Sequence, residues 1–125
     1  MKWRLHIPRH PDITLGPGSH QPWYKIRAAK QEDTELAMMM ARSILRDTMP
    51  WSRVAVVIQI ISPVDRRRDV DNFLGRCKGF LDGLTRAGVW IDDNSEVIES
   101  IRVEFIKQAG ERPATVFLVE DLDEG

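Results

Sequence analysis

The chain has 125 residues, of which 42% are hydrophobic and 30% charged, and its formal net charge is −1. This length allows one hydrophobic core, and therefore one domain over 1–125. The near-neutral charge excludes binding to nucleic acid through a general positive field, so any such surface must be local. A single cysteine, Cys77, excludes an intramolecular disulfide and suits a reducing, cytoplasmic environment.

The sequence contains no segment typical of membrane insertion or of nucleotide binding. The N-terminal stretch MKWRLHIPRHPD lacks the apolar run of a signal peptide, and no stretch approaches the ~20 apolar residues of a membrane span. The motifs G-x-x-x-x-G-K-[ST] and G-x-G-x-x-G are also missing. We therefore expect a soluble cytoplasmic protein with neither a membrane partner nor a nucleotide cofactor.

The first half of the chain is predicted to contain a strand, a long loop and a helix. Residues 3–7 alternate weakly and precede a proline, which is typical of a short strand. Residues 8–22 hold four prolines and two glycines, so we expect a flexible surface loop or a loop that contacts substrate. Helical spacing then predicts a helix over 26–49, ended by Pro50. Its apolar residues are Leu36, Met39, Met40, Ile44 and Leu45.

The second half is predicted to contain a strand, a helix and two further strands. The run RVAVVIQII, residues 53–61, is apolar and β-branched, which predicts a central strand buried on both faces. A helix over 71–87 is predicted to end at Gly88. Residues 97–106 and 115–119 predict two strands that form a hairpin.

The predicted order, β-α-β-α-β-β, indicates an α+β domain with a mixed sheet and its helices packed on one face. An acidic tail follows at 120–125. The second predicted helix carries an apolar stripe at i, i+4, i+7, i+8 and i+11, which we expect to face the core. Cys77 lies in this stripe and is predicted to be a core residue rather than a nucleophile. The stripe comprises Phe73, Cys77, Phe80, Leu81 and Leu84.

Carboxylates, an ammonium and a run of arginines crowd into the segment DRRRDVDNFLGRCKGFLDGLTRAGVWIDD. Asp69 and Asp71 straddle the predicted start of the second helix, and Asp93 follows that helix. Carboxylate oxygens are ligands that Mg²⁺ prefers, whereas arginines suit phosphate. Together they indicate a divalent cation beside a phosphodiester, and hence metal-dependent cleavage of nucleic acid, although a D-x-D pair alone is also typical of a solvated surface or a helix cap. The arginines are Arg66, Arg67 and Arg68.

In a regular helix, Asp71, Gly75 and Lys78 lie along one stripe at ~100° per residue, with Lys78 roughly 10 Å beyond Asp71 along the axis. A glycine inside a helix costs ~1 kcal/mol relative to alanine. Gly75 therefore either leaves room for a metal and a phosphate or packs closely against a neighbouring element.

These residues resemble the RusA family of Holliday-junction resolvases, small endonucleases often encoded by phages and prophages. The resemblance is strong over about residues 63–99. It implies a homodimer that binds four-way DNA and uses Mg²⁺, or Mn²⁺ in its place, to make paired nicks. It also implies metal-binding carboxylates at Asp69, Asp71 and Asp93 and a catalytic lysine at Lys78. The matching residues are Asp65-Arg66-Arg67-Arg68, Asp69-Val70-Asp71-Asn72, Lys78, Asp82-Gly83-Leu84, Ala87-Gly88 and Trp90-Ile91-Asp92-Asp93.

The chain departs from the family pattern at two places. Some members carry the lysine one helical turn after the second aspartate, whereas the interval from Asp71 to Lys78 is seven residues. Arg76 is therefore the fallback cation. The proline-rich loop at 8–22 matches no family loop that contacts substrate. In the resulting hypothesis, DNA backbone is bound by Arg66, Arg67, Arg68 and Arg76.

Three other functions fit parts of the sequence. A nuclease of the same chemistry would act on flaps or replication forks. A non-catalytic module would bind junctions with or without Mg²⁺ and never cut them. A phosphatase or glycosyl-transfer enzyme would also use D-x-D for Mg²⁺, but the arginines separate the strand from the acids and no nucleotide-binding loop is visible.

Overall fold

The computed structural model describes residues 1–16, 19–64 and 70–123, and of residues 70–72 it describes the backbone alone. This part of the chain is an α+β domain with a four-stranded mixed sheet, which confirms the predicted class and order. A short 3-10 helix, Ile13–Leu15, interrupts the predicted loop. The other elements are β1 (Lys2–Ile7), α1 (Trp23–Arg42), β2 (Val54–Ser62), α2 (Val70–Arg76), α3 (Lys78–Ala87), β3 (Ile98–Lys107) and β4 (Ala114–Asp121).

The strands lie in the order β1-β4-β2-β3. Strand β4 is antiparallel to both β1 and β2, whereas β2 and β3 are parallel. The predicted hairpin between the last two strands is therefore wrong, because β2 lies between them. The helical segment after β2 is long enough for the crossover that a parallel pair needs, so β3 pairs with one edge of β2 and β4 with the other.

The helices cover one face of the sheet, as predicted. On that face, alternate residues of β2 from Val54 to Ile60 are at most 1% exposed, and they share one core with the buried residues of α1, α2 and α3. On the other face, Ala55, Val57 and Gln59 are partly exposed. The prediction that this strand is buried on both faces is wrong at these positions, since no helix in the described part of the chain lies over them.

Helix α1 begins three residues earlier than predicted and ends at Arg42, seven residues before the predicted end. Its predicted apolar face is mostly outside: Met39, Ile44 and Leu45 are exposed. Small residues face the core instead, because α3 approaches closely. No helix in the described part of the chain, α1 included, is long and apolar enough to cross a membrane. The buried residues of α1 are Ala29, Asp33, Thr34, Ala37 and Ala41.

The second predicted helix is two helices, α2 and α3, that meet at Cys77. The Cys77 N–H bonds to the carbonyls of both Phe73 and Leu74, at 3.1 Å each, which tightens the turn. The two halves pack on different strands. The ring of Phe73 lies 5.3 Å from Phe105 on β3, and the ring of Phe80 lies 6.3 Å from Phe117 on β4.

The core role predicted for Cys77 is confirmed. Its side chain is buried, and burial raises the pKa of the thiol to about 12. The rest of the predicted stripe is buried or, at Leu81, partly buried. Gly88 follows α3 with φ 93°, the left-handed conformation that glycine adopts without strain, so the predicted end of the helix is also confirmed.

Candidate active site

Several of the predicted site residues lie outside the described residues. These are the arginines of the basic run and Asp69, together with the side chain of Asp71. The backbone frame is described: α2 begins at Val70, eight residues after β2 ends at Ser62, and Asp71 is in its first turn. The junction between loop and helix therefore lies where the sequence predicts it. The basic run comprises Arg66, Arg67 and Arg68.

Helix α2 lies over the end of the sheet where β2 and β3 finish. Phe73 in α2 packs against Phe105, two residues before the end of β3. The His10 ring is 6.2 Å from the Phe73 ring, and its Nε2 lies 2.8 Å from the carbonyl oxygen of Ile61 near the end of β2. A metal held at the start of α2 would therefore lie near this end of the sheet.

Asp93 lies at the opposite end. It is exposed and lies three residues after Trp90. The backbone of Trp90 forms an isolated β-bridge with Trp51, just before β2 begins. The N–H of Val54 bonds to the Val97 carbonyl at 2.7 Å, so β2 and β3 start side by side there. A strand of nine residues such as β2 spans roughly 25 Å. The structure does not bring Asp93 beside the start of α2 within one chain.

No described group of three histidine, cysteine, aspartate or glutamate side chains is placed to hold a metal ion. Asp69 and Asp71 are outside that set. Two carboxylates flanking the start of a helix have the oxygen donors that Mg²⁺ prefers, and this ion keeps several waters when bound. These residues fit the ion chemically, and the third predicted ligand, Asp93, lies elsewhere in the chain.

Lys78 is exposed at the first position of α3 and forms no ion pair with a described residue. It borders a cavity of about 150 Å³ together with Gly75. Its neighbour on the other wall, Lys30, is paired with Asp82 at 3.1 Å. The Lys78 ammonium is therefore available to an anion. The other lining residues are Leu15, Ile26 and Gly79.

Arg76, predicted to bind DNA, is engaged within the protein. Its guanidinium donates to the carbonyls of Pro11 at 2.7 Å and Asp12 at 3.4 Å, and it lies 4.5 Å from the ring centre of Phe73. These contacts fasten the segment after β1 to α2. Arg76 is therefore a poor replacement for Lys78 as the cation of the site.

Asp33 is a buried carboxylate that the sequence analysis missed. It is fully buried, and it accepts hydrogen bonds from the Arg9 guanidinium at 2.5 Å and from the Asp12 N–H at 3.0 Å. These bonds hold residues 9–12 of the predicted flexible loop against α1. The spacing contains a signal, because Asp33 lies four residues after Ala29 and four before Ala37, on the same face of the helix as these small buried residues.

The described part of the chain thus places an exposed lysine, Lys78, at the start of α3 and one carboxylate of the predicted set, Asp93, at the far end of the sheet. Asp69 and the side chain of Asp71 stay predictions, because they lie outside the described residues. No family model matches this chain, and no curated protein matches it either.

Proposed function

We propose that this chain is a Mg²⁺-dependent, structure-specific endodeoxyribonuclease that resolves four-way DNA junctions by paired hydrolysis of phosphodiesters. The observation that carries the proposal is the combination of Asp69-x-Asp71 at the start of α2 with the exposed Lys78 at the start of α3. The RusA resemblance of the same segment supports it. A DNA substrate and a buried, reduced Cys77 favour a cytoplasmic location.

In the proposed chemistry, the carboxylates and the cations have separate roles. Asp69, Asp71 and Asp93 would hold the ion. When bound, Mg²⁺ or Mn²⁺ would supply an activated water and neutralise charge that develops on the phosphate. Lys78 places a positive charge at the scissile phosphate or the leaving oxygen. Arg66, Arg67 and Arg68 contact flanking phosphates, which gives affinity without reading base sequence.

The position of Asp93 supports a site shared between two subunits. An Mg²⁺ ligand must lie within about 2.1 Å of the ion, and roughly 25 Å separates the Asp93 loop from the start of α2 along β2. Asp93 of the partner subunit can supply the missing carboxylate. A two-fold axis then creates two equal sites, as the cutting of two symmetry-related strands requires.

The face of the sheet opposite the helices, over which no described helix lies, offers a surface for that second copy. A groove of about 420 Å³ runs over it, with Ala55, Val57 and Leu118 among its lining residues. If the two sheets pack face to face about a two-fold axis perpendicular to the strands, the strands of one sheet run opposite to those of the other. The start of β2 in one subunit then meets the end of β2 in its partner.

The proposal is tested with labelled four-way, flap and linear DNA of matched sequence, each incubated with and without Mg²⁺. We expect paired nicks in the four-way junction only when Mg²⁺ is present. Lys78→Ala should lower the single-turnover rate while metal and DNA still bind. Binding without nicking in both Mg²⁺ and Mn²⁺ would contradict the proposal. Equal cutting of flaps and four-way junctions would mean that the substrate is branched DNA in general and not the four-way junction.

A further inference from the structure

One aromatic pair stands apart from the other large rings of the chain. Trp23 is 71% exposed and Tyr24 is 57% exposed, whereas the other three tryptophans are at most 3% exposed. The two rings lie 6.3 Å apart in an edge-to-face arrangement at the start of α1. Adjacent exposed rings of this size mark a surface that contacts something else.

The charge around this pair is positive. From Trp23 to Gln31 the helix carries three cations, Lys25, Arg27 and Lys30, and no acid. Lys25 and Arg27 form no ion pair with a described residue, and only Lys30 has a carboxylate partner, Asp82. Exposed rings with unpaired cations suit a single-stranded nucleic acid, whose bases stack on the rings while its phosphates meet the cations.

The pair is continuous with the candidate active site. Trp23, Arg27 and Lys30 follow the i, i+4, i+7 spacing of one helix face. Lys30 borders the cavity that Lys78 also lines. Seven helical residues cover about 10 Å, and this distance equals about three nucleotides at ~3.4 Å each along a stacked strand.

We propose that Trp23 and Tyr24 form a stacking platform for unpaired bases of a DNA strand, about three nucleotides from a phosphate at Lys30, on the wall of the cavity that Lys78 also lines. The position of that phosphate rests on the proposed nuclease function, whereas the stacking itself does not. Paired bases inside a duplex present no free face to these rings. The platform therefore favours single-stranded DNA, and a junction whose bases unpair at the crossover, over linear duplex.

Trp23 provides a direct signal because the other tryptophans are buried. The experiment titrates the full chain in EDTA with a thymidine oligonucleotide, a four-way junction and a blunt duplex, and records tryptophan fluorescence and acrylamide quenching. We expect the first two DNAs to quench Trp23 and to shield it from acrylamide. Trp23→Phe should bind equally well without the signal, which assigns the signal to this ring.

Affinity then tests the contribution of each ring. Trp23→Ala and Tyr24→Ala should each weaken binding to the oligonucleotide and the junction by about 5- to 150-fold, with little change for duplex. Met39→Ala, an exposed position further along the same helix, serves as the control and should bind like wild type. All three positions are exposed, so thermal melting should be unchanged.

The outcomes separate the two proposals. Unchanged fluorescence at saturating DNA, or wild-type affinity in both alanine variants, overturns the platform even if the junction is still cut. Quenching and the expected losses of affinity in a protein that never nicks DNA uphold the platform and overturn the nuclease. Preferential quenching by an unrelated acidic protein, with none by DNA, overturns the platform.

Discussion

Mixing two inactive variants should restore nicking if each metal site takes Asp93 from the partner subunit. The variants are Asp71→Asn and Asp93→Asn, which keep the shape of each side chain and remove its charge. The start of α2 and the Asp93 loop lie at opposite ends of β2, roughly 25 Å apart. One ion with ligands at about 2.1 Å cannot be bound by both residues of the same chain.

The size of the recovery follows from the two-fold arrangement. In a heterodimer of the two variants, one site combines an intact Asp71 with an intact Asp93 of the partner subunit, and the other site carries both substitutions. Random assortment makes about half of the dimers heterodimers, so the mixture should contain about one quarter of the wild-type number of sites. The assay is the first nick in a labelled four-way junction with Mg²⁺ under single-turnover conditions.

A mixture that contains heterodimers by native mass spectrometry but shows no nicking would refute the shared site. The matched control mixes Asp71→Asn with Lys78→Ala. Both residues belong to the same α2–α3 segment, so no heterodimer of this pair contains a fully intact site. This mixture should show no recovery beyond the residual rate of Lys78→Ala.

Four further predictions concern DNA contacts, helix packing and the buried thiol. Replacing any one of Arg66–Arg68 by alanine should reduce the slope of log affinity against log salt by up to ~1, and an unchanged slope for all three would exclude phosphate contacts. Gly83→Ala should lower the free energy of unfolding by about 1–3 kcal/mol, because the added Cβ would lie 2.4 Å from the Thr34 carbonyl oxygen. In urea melts, Gly75→Ala should instead raise the free energy of unfolding by up to ~1 kcal/mol, because alanine has a higher helix propensity than glycine. Because burial raises the pKa of Cys77 from 9.0 to about 12, stability should be full below pH 9 and fall as pH rises toward 12; Cys77→Ala should lack this dependence.

The order of elements could be predicted because most of them carry a clear local pattern. The apolar run of β2 and the spacing of Phe73, Phe80 and Leu84 require burial in any arrangement. The error at α1 has a different origin. Its buried face is made of small residues that allow α3 to approach, and this approach depends on Gly79 and Gly83 in a distant segment.

The arrangement of β3 and β4 could not be read from neighbouring residues, because β2 separates them in space and precedes both in the chain. Likewise, the predicted site residues lie close to one another in sequence. The burial of Asp33 could not be predicted in this way, because its partner, Arg9, lies 24 residues away. The separation of Asp93 from α2 follows from the crossover topology, which no local motif contains.

The central claim is that a metal held at the start of α2 allows this chain to cleave DNA. The most direct test measures DNA binding and DNA cleavage side by side for Asp71→Asn. Junction affinity in EDTA and single-turnover cleavage with Mg²⁺ are determined on the same labelled four-way DNA. We expect the variant to bind as tightly as wild type, or more tightly because a negative charge is removed, and to make no nicks. Cleavage at the wild-type rate by Asp71→Asn would contradict the claim.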